Sequence, residues 1–170
     1  MKAPPLPHLR GVAALGRFTG TLRTSVHRMK YAGEAVLADA LGAELGVRIA
    51  GGLALGWRVD VVVPVPLAPA RARERGYDQA RRLACAAGRV SGAKFVPALA
   101  RRRETLSQVG LGREERAANV RGAFASAPIA GGVALVDDVL TTGATLVECA
   151  RTLRRAGATE VRALVVAIET

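Results

Sequence analysis

Val133-Ala-Leu-Val-Asp137-Asp138-Val139-Leu140-Thr141-Thr142-Gly143-Ala144-Thr145-Leu146 decides how this chain is read. An apolar run ends in two adjacent carboxylates, then passes through a small, hydroxyl-rich turn into a helical pattern. In open α/β sheets, ligands bind outside the carboxyl ends of the strands, where such turns gather. The backbone N–H groups of the turn and the N-terminus of the following helix suit a phosphate. The carboxylates just before it can accept hydrogen bonds from sugar hydroxyls. A Walker A loop is excluded, because its Gly-Lys-Ser/Thr ending is absent. A generic strand ending in Asp, followed by a Thr-Gly turn, leaves the paired acids and the three threonines unexplained.

The 170 residues suit one domain with an adequate core, half of them apolar but only 4% aromatic, so Ala, Val and Leu do most of the packing. No apolar run approaches the roughly 20 residues that span a bilayer, and no membrane segment is expected. The start, Met1-Lys2-Ala-Pro-Pro-Leu-Pro-His8, lacks the apolar stretch of a secretory signal, which makes the cytoplasm the expected location. Cys85 and Cys149 stand alone in different helical patterns and read as small core residues. The net charge of +11 is uneven: residues 71–121 hold 13 Lys/Arg against 5 Asp/Glu. Such a surplus favours polyanions, a pyrophosphate or a nucleic-acid backbone, and equally describes a solvated basic face.

Residues 1–11 are proline-rich and expected to be frayed or extended. From Tyr31 onward, Val36, Leu37, Ala40, Leu41 and Leu45 recur at helical spacing, with Gly46 read as the stop. Val59 to Val63 reads as a buried parallel strand ended by Pro64-Val65-Pro66-Leu67. Asp78 is placed to cap a helix carrying Ala80, Leu83, Ala84 and Ala87 inward. Phe95 to Leu99 reads as a short strand, and residues 101–121 as an arginine-rich loop or flap with one helical turn. Val120 to Ala125 and Val133 to Val136 return to strand character. Leu146, Cys149, Ala150 and Leu153 mark an amphipathic helix stopped by Gly157, and Val161 to Ala167 the last strand. This alternation implies an α/β fold with a mainly parallel twisted sheet flanked by helices.

The stretch 133–146 resembles the phosphoribosyl-pyrophosphate (PRPP) loop of the type I phosphoribosyltransferases. Three further elements are similar to one branch, the ComF family, named for its competence-associated member. They are Met29-Lys30-Tyr31-Ala32-Gly33; Val63-Pro64-Val65-Pro66-Leu67 with Arg75-Gly76-Tyr77-Asp78-Gln79-Ala80; and Arg101 to Thr105, Gln108, Arg116, Asn119, Val120 and Gly122-Ala123-Phe124. Together they cover roughly residues 26–168. The resemblance implies a type I phosphoribosyltransferase fold over residues 26–170. A small N-terminal hood would draw on residues 1–25, and a flexible flap would be present. Longer family members carry an N-terminal four-cysteine zinc module. This sequence has no Cys before Cys85, so no zinc site is expected. Tyr77-Asp78-Gln79 stands where the family usually has Phe-Asn-Gln, which leaves the role of Asp78 open.

By the same resemblance, Thr141, Thr142, Gly143, Ala144 and Thr145, with Val139 and Leu140 leading in, would hold the 5-phosphate of PRPP. Asp137 and Asp138 would bind the ribose hydroxyls and, directly or through water, a Mg²⁺ on the pyrophosphate. Val65, Pro66 and Leu67 occupy the place of the pyrophosphate loop. Breaking the C1–pyrophosphate bond separates charge, which Mg²⁺ and arginines can stabilise. Arg101 and Arg103 lead the candidates, ahead of Arg102, Arg116, Arg71, Arg73 and Arg75, each of which fits a plain surface role equally. Lys30 is a candidate for pyrophosphate or acceptor contact and Tyr31 for ring stacking; a solvated Lys30 and a packing Tyr31 fit as well. His27 reads as structural or surface, and Trp57 as a core or interface anchor. One functional expectation is Mg²⁺-dependent transfer of phosphoribose to a nitrogenous acceptor that the sequence does not identify. The other is a non-catalytic PRPP- or single-stranded-DNA-binding accessory in competence and DNA uptake. Oligomeric state stays open, a dimer included.

Overall fold

The computed structural model describes residues 6–68, 73, 76–103 and 113–169. Five parallel strands form the main sheet: β1 (Gly11–Arg17), β2 (Val61–Pro64), β3 (Lys94–Phe95), β6 (Gly131–Leu140) and β7 (Ala158–Ile168), in the order β1-β7-β6-β2-β3. Two further strands, β4 (Leu99–Arg101) and β5 (Phe124–Ser126), pair antiparallel as a separate ribbon. The helices are α1 (Gly20–Tyr31), α2 (Ala35–Ala54), α3 (Gln79–Ser91), α4 (Arg113–Val120) and α5 (Ala144–Arg155).

Side chains alternate across a strand, and β6 and β7 therefore feed two cores. Val133, Leu135, Val161, Ala163 and Val165 pack with Leu146, Cys149, Ala150 and Leu153 of α5 and with Phe124 and Val120. Ala134, Val136, Leu164 and Val166 face the other way, against Val26 and Met29 of α1, Leu45 and Ile49 of α2, and Leu83 and Ala87 of α3. The parallel sheet is covered on both faces, as its β-branched central strands require.

Several elements depart from the expectations drawn from sequence. Residues 11–17, all but Gly11 beyond the stretch 1–11 expected to be frayed or extended, form the edge strand β1, and α1 runs through position 25. Gly11, Ala13, Ala14 and Gly16 carry little strand propensity; pairing with residues 162–168 places them. Gly46 does not stop α2. A Cβ at Gly46 would lie 2.7 Å from the Ala87 carbonyl oxygen, and one at Gly42 2.5 Å from that of Leu83. These glycines let α2 and α3 approach closely rather than ending the helix. The stretch Phe95 to Leu99 is divided around Pro97, with β3 in the main sheet and β4 in the ribbon. Val120 closes α4, so the strand expected from Val120 begins only at Phe124. β6 continues through both acids to Leu140.

Asp78 caps α3 as expected, its Oδ1 accepting from the Arg81 N–H at 3.0 Å. Glu148 of α5 is buried, accepts the Gly122 N–H at 2.7 Å and is ion-paired to Arg151. Burial alone would raise its pKa, but the Arg151 guanidinium and the Gly122 N–H outweigh it and hold the carboxyl below its ordinary range. Its contribution to stability is complete above the ordinary Glu pKa and fades as pH falls through the depressed one. Replacing Glu148 by Ala leaves Gly122 unsatisfied and is expected to cost about 2–3 kcal/mol in urea unfolding at pH 7. The deficit should shrink under acid conditions.

Candidate functional site

The site lies where β6 runs out. Pro64 pairs with Val136, and the Val65 N–H donates to the Val136 carbonyl at 2.9 Å, so Val65-Pro66-Leu67 leave the sheet directly beside the acid pair. A prolyl residue is tolerated at this last rung because little ladder follows it.

Asp137 and Asp138 are neighbours in a strand and leave it on opposite faces. Asp138 is buried on the α1/α3 side, where Lys30 Nζ lies 3.0 Å and Gln79 Nε2 3.1 Å from its Oδ2. Asp137 is half-buried and accepts the Asp138 N–H at 2.8 Å. Packing around its carboxyl, then the charge of Asp138, pushes its pKa up to about 7 from an ordinary 3.8. The two acids therefore differ: Asp138 has a fixed cation, whereas Asp137 carries its charge reluctantly at neutral pH. Cys149 sits on the Asp137 side; burial pushes its thiol well up, which fits a core residue.

The turn after β6 has Thr141 exposed, Thr142 and Thr145 half-buried, and Gly143 buried. Gly143 is the N-cap of α5 with φ +80°, a left-handed conformation that glycine adopts freely. Gly143 brings no cap side chain to α5, and the Ala144 N–H reaches Thr142 Oγ1 at 3.4 Å. A Cβ at Gly143 would meet Leu6 Cδ1 at 2.9 Å. Replacing Gly143 by Val is expected to cost about 2 kcal/mol through the left-handed backbone. Asn tolerates that conformation better, so Gly143→Asn should lose less than half as much in denaturant titration.

Other candidates lie further from the acids or have other partners. Arg101 stacks over the Phe124 ring at 4.9 Å, and Phe124 packs in the same core as Cys149, on the Asp137 side of the sheet. Arg103 donates to the carbonyls of Asn119 and Arg121 at 3.0 and 2.9 Å, closing the end of α4. Arg102 and Arg73 are exposed. Arg71, Arg75, Thr105, Gln108 and the Arg116 side chain lie outside the described residues. Tyr31 is exposed and lies tilted against His27, whose ring stacks on Phe18. Trp57 lies under Arg162, 4.7 Å from its guanidinium carbon, and packs against the α1/α3 core.

Gln79 received no role from sequence. It is 3% exposed, donates to Asp138, and leaves Oε1 as a buried acceptor with no partner. Its signal was readable: Gln79 shares the inward face of α3 with Leu83 and Ala87 at four-residue spacing, an unusual place for an amide. Tyr77 donates to the Met29 carbonyl, tying the entry of α3 to the end of α1 beside Lys30.

The parallel sheet, with an acid pair near the end of β6 and a glycine-opened helix N-terminus after it, has a phosphoribosyltransferase-type α/β fold. Glutamine PRPP amidotransferase from B. subtilis, solved with ADP and GMP, shares this fold. It superposes with a TM-score of 0.50 at 24% identity over 76% of this chain and 26% of that one. No model of a known protein family matches the chain. It is 32% identical over 169 residues to DNA utilization protein YhgH of Escherichia coli strain K12, covering 95% of this chain and 72% of the relative. It is 36% identical over 109 residues to Competence protein F of Haemophilus influenzae, covering 61% of this chain. The chain spans about half, 48%, of that protein's length. The chain belongs to the ComF family, with Competence protein F and DNA utilization protein YhgH among its relatives. Among the described residues, no helix is long and apolar enough to cross a membrane.

Proposed function

We propose that this protein binds PRPP together with Mg²⁺ at the end of β6 and transfers its phosphoribose to a nitrogenous acceptor, in a role linked to competence and DNA uptake. The observation that carries this reading is the acid pair at the end of β6, directly followed by the left-handed Gly143 turn into α5. The amides and hydroxyls of residues 141–145 would hold the 5-phosphate, with Val139 and Leu140 setting the approach of the turn. Asp137 and Asp138 would take the ribose hydroxyls, and Val65, Pro66 and Leu67 would border the pyrophosphate. Lys30 would exchange its contact with Asp138 for one with a pyrophosphate oxygen.

The donor set fits a magnesium ion that arrives with its ligand. Among the described residues no three His, Cys, Asp or Glu side chains converge as a metal cage. Mg²⁺ commonly uses one or two carboxylates plus substrate phosphates and water. Asp137, held half-charged at neutral pH, would gain most from such a cation. When bound, Mg²⁺ supplies charge neutralisation for the leaving pyrophosphate. Arg101 would add positive charge on the Asp137 side, and Arg103 would follow if the end of α4 released it.

A second reading, a non-catalytic accessory that binds single-stranded DNA, is favoured by the names of the relatives and the basic middle third of the chain. Calorimetry separates the two. PRPP should bind with Mg²⁺ and fail to bind measurably in EDTA. A DNA-backbone site should bind an oligonucleotide without metal and lose affinity steeply as salt is raised. Absence of PRPP binding in Mg²⁺ would overturn the first reading.

A further inference from the structure

We propose that the outer face of α2 is an interface at which two copies of this chain pair antiparallel. α2 carries two apolar seams on opposite sides. Ala38, Gly42, Leu45, Ile49 and Gly52, spaced alternately four and three residues apart, are all buried against the domain. Val36, Ala40, Ala43, Val47, Ala50 and Ala54 repeat the same spacing on the other side. That second seam is uncovered: Val36 is 80% and Val47 57% exposed, and Ala40, Ala50 and Ala54 are exposed. A 4-3 repeat of apolar residues is what keeps one helix face against another helix over several turns. An apolar stripe on each side of one helix is the pattern of a helix with partners on both sides.

The seam is self-complementary, which points to a second copy as occupant. An antiparallel partner centred near residue 45 sets Val36 opposite Ala54, Ala40 opposite Ala50 and Ala43 opposite Val47, large against small at each end. Glu44 and Arg48 share one flank of the stripe, and among the described residues neither has an ion-pair partner. In the antiparallel arrangement equal flanks meet, so Glu44 of each copy comes within about one turn of Arg48 of the other. The third charged residue of α2, Asp39, is already held by Arg82 of α3, Oδ1 to Nε at 3.1 Å. The seam is about 27 Å long, at the small end of stable interfaces, so a dissociation constant of roughly 1–100 μM is expected.

Sedimentation equilibrium of the whole chain from about 1 to 300 μM tests this. A monomer–dimer equilibrium is expected. Val47→Glu and Ala50→Lys, both pointing outward, should give monomers with unchanged circular dichroism and melting temperature. Glu44→Arg or Arg48→Glu alone should weaken association about tenfold, and the double exchange E44R/R48E should restore it. A wild-type chain that stays monomeric throughout, or a dimer that both outward substitutions leave intact, overturns the proposal. So does a double exchange that associates no better than its single parents.

Discussion

Replacing Asp137 by Asn is expected to raise the melting temperature at pH 8 by at least about 3 °C and to weaken PRPP–Mg²⁺ binding on the order of 100-fold. The amide keeps an acceptor for the Asp138 N–H but removes a charge that burial and Asp138 both oppose. The folded-state pKa, about 7, lies above the ordinary 3.8, so the folded protein holds a proton that the unfolded chain releases. Stability from this group is therefore lost as pH rises from about 4 to 7. The advantage of Asn should be absent below pH 4 and full above pH 7. Differential scanning calorimetry across that range, with and without ligand, measures both effects. Equal melting temperatures at pH 8 would remove the buried anion; undiminished PRPP affinity would remove the assigned role. Asp138→Asn should behave differently, since it strands Lys30 and lowers stability.

The second large effect concerns the α2–α3 contact. Gly42→Leu is expected to destabilise the fold by about 3 kcal/mol or more, because even its Cβ would lie 2.5 Å from a backbone oxygen of α3. Backbone in a packed helix cannot retreat as a side-chain tip can. Gly51→Ala is the control: nothing lies within 4 Å of that Cβ, and alanine should add roughly 0.5–1 kcal/mol. Urea midpoints for the two variants should move in opposite directions. Equal shifts would show that the close approach of the helices is not what these glycines provide.

The turn after β6 was legible in the sequence because its chemistry is local. Two acids, three threonines and a glycine in nine residues carry their meaning in linear order, and Asp78 announced its cap the same way. What the linear order concealed was set by partners distant in sequence. Gly46 looks like a helix stop until Ala87 is known to lie against it, and Gly42 meets Leu83 in the same way. β1 is rich in glycine and alanine, and its strand is placed by pairing with β7. The fixed cation on Asp138 comes from Lys30, over a hundred positions away, and no periodicity reveals it. Gln79 lies inside the stretch 75–80, yet its unsatisfied oxygen appears only once the helix is docked.

The pairing of β1 with β7 constrains biosynthesis. β1 emerges from the ribosome about 140 residues before β7, its strand neighbour among the described residues. Until Val161 to Ile168 have been translated, residues 11–17 have no hydrogen-bonding template. Holding factors that bind nascent chains would find their natural target there. A stalled or prematurely released product would expose that segment to proteolysis even with α2 and α3 already docked.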